Sequence, residues 1–364
     1  MKETILQFGA GNFLRAFVDF FVAQANRSEK PMGGVVVVQS TGRERADALN
    51  AAGGNYHVAI QGFSDGSVVD EVEKVDSITR ALYAATEWVE IRAVGCSPDL
   101  QWVVSNTTEA GFALDDADEQ RDGTPHSFPA KLLDVLLARH SAGLPGISII
   151  PCELIENNGK RLLQLVLDQA LRWKVSPEAT EWLKTECQWV NNLVDRIVPG
   201  RPPEHPLLET DPLLLGAEPF AFWAIETDRP FLLEHPAVVI TQDITPYYLR
   251  KVRILNGAHT ALVAHAMPMG LKTPRECVEH PEIRAWLEEL LFDEIVPVLA
   301  GRVEKPSDFA RTTIDRFLNP FLDHQLSAIA LHHETKMQTR LAPSLKDYRR
   351  IFGSDPKILS SLFA

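Results

Sequence analysis

The sequence predicts an α/β protein: an N-terminal Rossmann-like, doubly wound sheet followed by a smaller all-α C-terminal domain. Three observations carry that expectation. Through residues 1–150, short apolar runs alternate with segments of helical periodicity, the pattern of a parallel sheet with crossover helices. A glycine turn, FGAGNF, sits at the first junction between strand and helix. Beyond residue 245 the chain reads as helix and loop alone, so domains of 1–245 and 246–364 are expected.

Each element follows from local pattern. TILQF (4–8) reads as the first strand, and Leu14, Phe17, Val18, Phe21 and Val22 follow at i, i+3, i+4, i+7, i+8 spacing on one helix. VVVV (35–38) is a buried strand, with a helix over RERADALNAA (43–52) behind it. NYHVAIQGF and SVVDEVEKV flank Asp65-Gly66 as an inserted hairpin. LQWVVS (100–105) and GISIIP (146–151) supply later strands of the sheet. The segments at their carboxyl ends, SNTTEAG and CELIENNG, lie where doubly wound sheets bind ligands. From 155 to 215 the reading is mostly helical, with NNLVDRIVP (191–199) closing a helical stretch and PGRPPEHP on the surface. FAFWAIE (220–226) and AVVIT (237–241) are two further strands. Thr245 then caps a helix whose first position suits Pro246.

Composition narrows the function. A net charge of −13 over 364 residues argues against nucleic acid and anionic membranes as partners. An anionic small substrate would need a local basic pocket. Cys96, Cys152, Cys187 and Cys277 are widely spaced with no CxxC, which fits a reducing compartment. The N-terminus runs directly into a strand and no apolar run approaches about 20 residues, so a cytoplasmic enzyme is expected. His332 and His333 are adjacent, point to different sides of a helix, and so give no metal site.

Chemistry concentrates in KVRILNGAHTALVAHAM (251–267). At about 100° per residue, Val252, Leu255, Leu262, Val263 and Ala266 form an apolar stripe. His259 falls in its middle, with Lys251 and Asn256 on its two edges. Three such polar groups must find partners or lose solvation, and clusters of this kind collect where catalysis occurs. Elsewhere, Gly9-x-Gly11 allows a tight turn near a pyrophosphate, although Leu14 occupies the place of the usual third glycine. The second strand ends in Gln39-Ser40-Thr41-Gly42-Arg43, with Arg45 close behind and no acid to bind ribose hydroxyls. Taken alone this tilts toward NADP; equally, Arg43 and Arg45 simply solvate the helix start. Asp195 beside Arg196 is either a local ion pair or a carboxylate aimed at the cleft.

These motifs together resemble the polyol-specific long-chain dehydrogenases, the mannitol dehydrogenase family. The resemblance rests on FGAGNFLRAF, NNLVDRIVP and above all KVRILNGAH, which carries the family's Lys-x4-Asn-x2-His as Lys251, Asn256 and His259. SNTTEAG, SFPAKL, IPCELIENNG, EPFAFWAIE and RFLNPFLDHQLSAIA are similar to its hexuronate-acting members. The resemblance implies metal-independent hydride transfer between a nicotinamide cofactor and a secondary alcohol or ketone, with NAD favoured over NADP. It makes Lys251 the general acid/base, with Asn256 polarising the carbonyl and His259 orienting the lysine or a substrate hydroxyl. Asp195 joins them at the cleft. Gly9, Gly11, Asn12, Phe13, Ser40, Thr41 and Asn106 are the expected cofactor contacts. A hexuronate carboxylate would be met by Lys336 and Arg340, four apart on a helix, with His324 as a third donor. The expected partner is that small molecule, with no nucleic acid or membrane; oligomeric state stays open and compatible with a monomer.

Two departures stand out. Where mannitol dehydrogenases have Cys-Asp-Asn, this chain has Cys152-Glu153-Leu154, leaving Asn157 or Asn158 as substitute carbonyl donors. The chain also stops at KILSSLFA, where the family usually continues with further helices, so either a small helical domain or a short variant is expected. The alternative from another class is a nucleotide-binding protein without catalysis, against which the Lys251, Asn256 and His259 trio argues.

Overall fold

The computed structural model describes residues 1–107, 111–231 and 233–363. The chain falls into two compact units: 1–59 with 72–217 and 221–242, and 60–71 with 218–220 and 243–364. A boundary was expected near 245. The second unit also takes in the tip of the inserted hairpin, where Asn319 Nδ2 donates to the Gln61 carbonyl at 3.1 Å.

The first unit is built on a six-stranded sheet. Its strands are β1 (Glu3–Phe8), β2 (Gly34–Gln39), β5 (Ile78–Tyr83), β6 (Trp102–Ser105), β7 (Ser148–Pro151) and β8 (Gln188–Trp189), in the order β5-β2-β1-β6-β7-β8. All neighbours pair in parallel. Helices cover such a sheet, so its strands are apolar throughout rather than alternating, and Val35, Val36, Val37 and Val38 are all fully buried. Strand order reverses between β1 and β6, which opens a crevice at their carboxyl ends. Between β2 and β5 the chain makes the expected hairpin, β3 (Tyr56–Ser64) and β4 (Ser67–Val75). Asp65 and Gly66 both have positive φ at its turn, the conformation that two-residue hairpin loops need. The remaining strands are β9 (Asn191–Asp195), β10 (Leu215–Ala217), β11 (Phe222–Glu226) and β12 (Val238–Thr241).

The structure corrects three expectations here. The single helix after β1 is two, α1 (Asn12–Arg15) and α2 (Val18–Ala25). The break at Ala16–Phe17 lets Phe17 pack against Phe13, Phe21 and Trp223 with ring centroids 4.9, 4.8 and 5.4 Å away. NNLVD is strand β9, antiparallel to β11, not a helix end: pairing along Phe222–Glu226 overrides local propensity. The edge strand β5 and the helix after it, α4 (Trp88–Gly95), were not predicted. Behind the sheet lie α3 (Glu44–Ala51), α5 (Phe128–Ser141), α6 (Asn158–Arg172) and α7 (Pro177–Thr185).

From residue 243 onward the described residues form helices and turns, with no strand. The first helix, α8 (Thr245–Arg250), has Pro246 in its first turn as expected. Thr245 does not cap it; instead Asp243 Oδ1 accepts the Thr245 N–H at 2.9 Å. A wide π turn, Lys251–Leu255, then leads into α9 (Asn256–His265). Ile254, Ala258, Ala261 and Leu262 on these segments are fully buried and help form the unit's own apolar core. Among the described residues, no helix is long and apolar enough to cross a membrane, and all four cysteines are free.

Candidate active site

A cavity of about 720 Å³ opens at the carboxyl ends of β1, β2 and β6. Gly9, Gly11, Asn12, Ser40, Thr41 and Asn106 line it. Gly9 sits at φ +124°, and a Cβ there would stand 3.1 Å from the Asn106 carbonyl oxygen, so only glycine closes this turn without strain. Gly11 differs: its φ of −68° suits any residue, and a Cβ added to it would meet nothing within 4 Å. The room in front of Gly11 is therefore room for a ligand, the property a dinucleotide diphosphate requires. Phe13, the seventh expected contact, stacks on Phe17 and is not among the lining residues.

The two arginines after β2 separate. Arg43 pairs with Asp47 at 2.9 Å on the surface. Arg45 lines the cavity and donates to Asn12 Oδ1 at 2.7 Å, an oxygen that Arg15 Nη2 also reaches at 3.0 Å. Beneath the turn, Gln7 donates both to the Gly9 carbonyl and to Asp19 Oδ2, each at 3.2 Å. Complete burial pushes the Asp19 carboxyl up to about 7, against the pull of Gln7 and Arg15. Across the cavity, α5 begins with a Ser127 cap and contributes Phe128 and Lys131. Sequence reasoning passed over Lys131; the available signal was a lone lysine inside the apolar run FPAKLLDVLL.

At the end of β7, Asn106 Nδ2 donates to the Cys152 carbonyl at 2.7 Å. Glu153 is buried and accepts from Ser105 Oγ at 3.1 Å and from the Thr107 N–H at 2.8 Å. Burial raises its pKa and these donors oppose the rise. Leu154 is exposed. Asn158 is not placed to replace the missing asparagine: its amide donates to the carbonyls of Pro151, Glu153 and Asn192 and its oxygen accepts from two backbone N–H groups. Asn157 is exposed, at φ +53°. Asp195 is the buried last residue of β9, opposite Phe222; its neighbour Arg196 donates to the Ala16 carbonyl at 2.9 Å and lies over Phe20.

In the helical unit, the π turn revises the 100° wheel. The Asn256 N–H bonds to the Lys251 carbonyl, an i→i+5 link that stacks Asn256 one turn above Lys251. His259 follows three residues later in regular α-helix, again on that face. The trio that an ideal helix would spread across a wide arc is thus gathered into a row. Lys251 and Asn256 are half-buried and His259 is buried. The His259 ring lies 4.5 Å from Phe317 and 5.5 Å from His324.

The same unit gathers the three expected carboxylate ligands. Arg340 Nη1 donates to Thr260 Oγ1 at 3.3 Å, next to His259 on α9. Lys336 Nζ donates to the Ile329 carbonyl at 2.7 Å. Burial and the Lys336 charge both lower the His324 pKa, and burial and the Arg340 charge lower that of Lys336. Among the described residues, neither Lys336 nor Arg340 has a carboxylate within ion-pair distance. Burial also lowers the Arg340 pKa, so two partly desolvated cations stand close together in a chain of net charge −13. No group of three or more His, Cys, Asp or Glu side chains among the described residues is placed to hold a metal ion.

Comparison with known proteins agrees with both halves. The family model of the mannitol dehydrogenase Rossmann domain matches residues 3–237, and that of the mannitol dehydrogenase C-terminal domain matches residues 243–364. The chain is 40% identical to an altronate oxidoreductase of Bacillus subtilis, over all of this chain and 78% of that one. It is 37% identical to the altronate oxidoreductase of Phocaeicola vulgatus, over 98% of this chain and 78% of the relative. Among solved structures, a D-sorbitol dehydrogenase superposes with a TM-score of 0.87 at 23% identity, over 97% of this chain and 77% of that one. The Pseudomonas fluorescens mannitol 2-dehydrogenase ternary complex with NAD and D-mannitol gives 0.79 at 24% identity, over 100% and 78%. At these identities the two structures speak to the fold.

Proposed function

This chain belongs to the mannitol dehydrogenase family, and we propose that it interconverts tagaturonate and altronate with NAD as the hydride carrier and Lys251 as the acid/base. It is an oxidoreductase that uses a nicotinamide cofactor. The substrate comes from the relatives, whose name as altronate oxidoreductases points to a hexuronate. The observation that carries the reading is the row Lys251, Asn256 and His259 beside two cations that, among the described residues, no carboxylate neutralises. A polyol dehydrogenase with a neutral substrate has no use for that pair; a hexuronate does.

Held at the cavity lined by Gly9, Gly11, Ser40, Thr41 and Asn106, a nicotinamide cofactor would supply the hydride that the substrate carbonyl carbon takes up in the reducing direction. The Lys251 ammonium gives its proton to the carbonyl oxygen, which becomes the new hydroxyl. The Asn256 side-chain amide donates to that oxygen, most strongly as negative charge develops on it. His259 orients the lysine or a substrate hydroxyl, and Arg340, Lys336 and His324 bind the carboxylate. In the opposite direction Lys251 takes the hydroxyl proton. For the cofactor, support for NAD comes from Arg43, which Asp47 already engages.

The test is initial-rate kinetics over tagaturonate, fructuronate, fructose and fructose 6-phosphate with NADH and with NADPH. Tagaturonate with NADH should give the highest kcat/KM. Preference for another substrate, or for NADPH, overturns the corresponding part. Lys251→Ala should lower turnover by roughly 10²–10⁴ while cofactor affinity stays nearly intact. Near wild-type turnover in that variant rules out the lysine mechanism.

A further inference from the structure

The first turn of this chain is poorly equipped to hold a diphosphate. In the usual arrangement the anion rests on the N-terminus of a long helix whose approach a third glycine permits. Here α1 is a single turn of four residues, the chain breaks at Ala16–Phe17, and the third glycine is Leu14, 1% exposed. A short helix offers few aligned peptides, so charge must come from elsewhere.

We propose that Lys131 on α5 is a phosphate ligand of the dinucleotide. The inference rests on the cofactor reading above and names a residue which that reading does not use. Lys131 lines the cavity, together with Arg45 from the β2 side. The residue is only 5% exposed. Lysine is almost never buried to this degree without a charged partner, because a buried ammonium needs an anion or several acceptors. Among the described residues Lys131 has one hydrogen-bond partner, the His126 carbonyl, and no carboxylate within ion-pair distance. The nearby carboxylate Asp118 is already occupied by the N–H groups of His126 and Ser127, at 2.7 Å each. Burial accordingly lowers the Lys131 pKa, with Asp118 and Asp115 opposing it only from a distance. A phosphate oxygen entering the cavity supplies the missing counter-charge. Arg45, which also lines the cavity and makes no ion pair among the described residues, provides a second cation from the other wall.

The experiment measures binding rather than turnover. Full-length wild-type protein, Lys131→Met, Lys131→Gln and Lys131→Arg are titrated with NADH, NADPH, ADP-ribose and adenosine by calorimetry and fluorescence. Loss of a charge-assisted hydrogen bond should raise the Kd for NADH and ADP-ribose by about 10- to 100-fold in Lys131→Met and Lys131→Gln. Adenosine, which has the base and ribose but no phosphate, should bind all variants within about twofold, and Lys131→Arg should recover most of the lost affinity. Adenosine binding also reports that each variant is folded. Unchanged ADP-ribose affinity, or equal losses for ADP-ribose and adenosine, overturns the assignment. A wild-type protein that binds neither NADH nor NADPH overturns the cofactor reading and this inference with it. Wild-type binding that Lys131→Met leaves intact overturns this inference alone.

Discussion

Replacing Arg340 by methionine separates substrate recognition from folding. The guanidinium makes one long bond, 3.3 Å to Thr260 Oγ1, and no ion pair among the described residues. Methionine keeps the apolar stem, and its introduction strands no buried carboxylate, so stability should fall by less than about 1 kcal/mol. The loss to substrate is larger. A hydrogen bond to a charged group contributes about 1.5–3 kcal/mol, and the guanidinium fork matches a carboxylate in bidentate fashion. At 1.4 kcal/mol per decade, the KM for tagaturonate should rise roughly tenfold to 150-fold. Fructose has no carboxylate, and its KM should change by less than about threefold. The assay is initial-rate kinetics on both substrates, followed by NADH absorbance, with a thermal melt on the same preparations. Parallel rises for both ketoses, or no rise for either, would refute the assignment of Arg340 to the carboxylate.

Three further outcomes test the rest of the structure. Gly11→Ala should leave stability within about 0.5 kcal/mol of wild type, because its φ is ordinary and its Cβ meets nothing; NADH affinity, measured by fluorescence titration, should nevertheless fall at least about tenfold. Unchanged affinity would show that the cofactor does not approach this turn. Asp19 carries a carboxyl held near 7 by burial, above its unfolded value of 3.8. Its contribution to stability is therefore fully present below about pH 4 and is lost as pH rises toward and through 7, by roughly 4 kcal/mol for some three pKa units. Asp19→Asn should abolish that decline, so the melting temperatures of the two proteins should diverge in the variant's favour from pH 5 to pH 8; curves that stay parallel contradict the shifted pKa. Arg316 and Glu218 form a bidentate pair at 2.9 and 2.8 Å with both side chains 2% exposed. Glu218→Ala should cost about 3–5 kcal/mol in urea denaturation by leaving the arginine charge buried, and a loss below about 1 kcal/mol would mean that solvent reaches the pair.

How far the sequence reached differs from element to element. Val35–Val38 had to be an interior strand, because a continuous β-branched run is stable only with both faces covered. The glycine turn after β1, the Asp65-Gly66 hairpin and the Pro246 helix start were equally legible, since each depends on backbone preferences of one or two residues. The sequence also put Lys251, Asn256 and His259 on one short segment, and Lys336 four residues before Arg340.

What the tertiary structure decided is how those groups line up. The i→i+5 bond at Lys251 leaves no mark in composition, yet it stacks Asn256 on Lys251 where a regular helix would separate them. The break between α1 and α2 follows from the pocket that receives Phe17, not from any helix-breaking residue. NNLVD became a strand because β11 lay ready to pair with it, and Asn158 became scaffold because three carbonyls converge on its amide. Periodicity records how much of a segment is buried; which partner buries it is a property of contacts between residues far apart in sequence, and those contacts set the hydrogen bonds that shape the site.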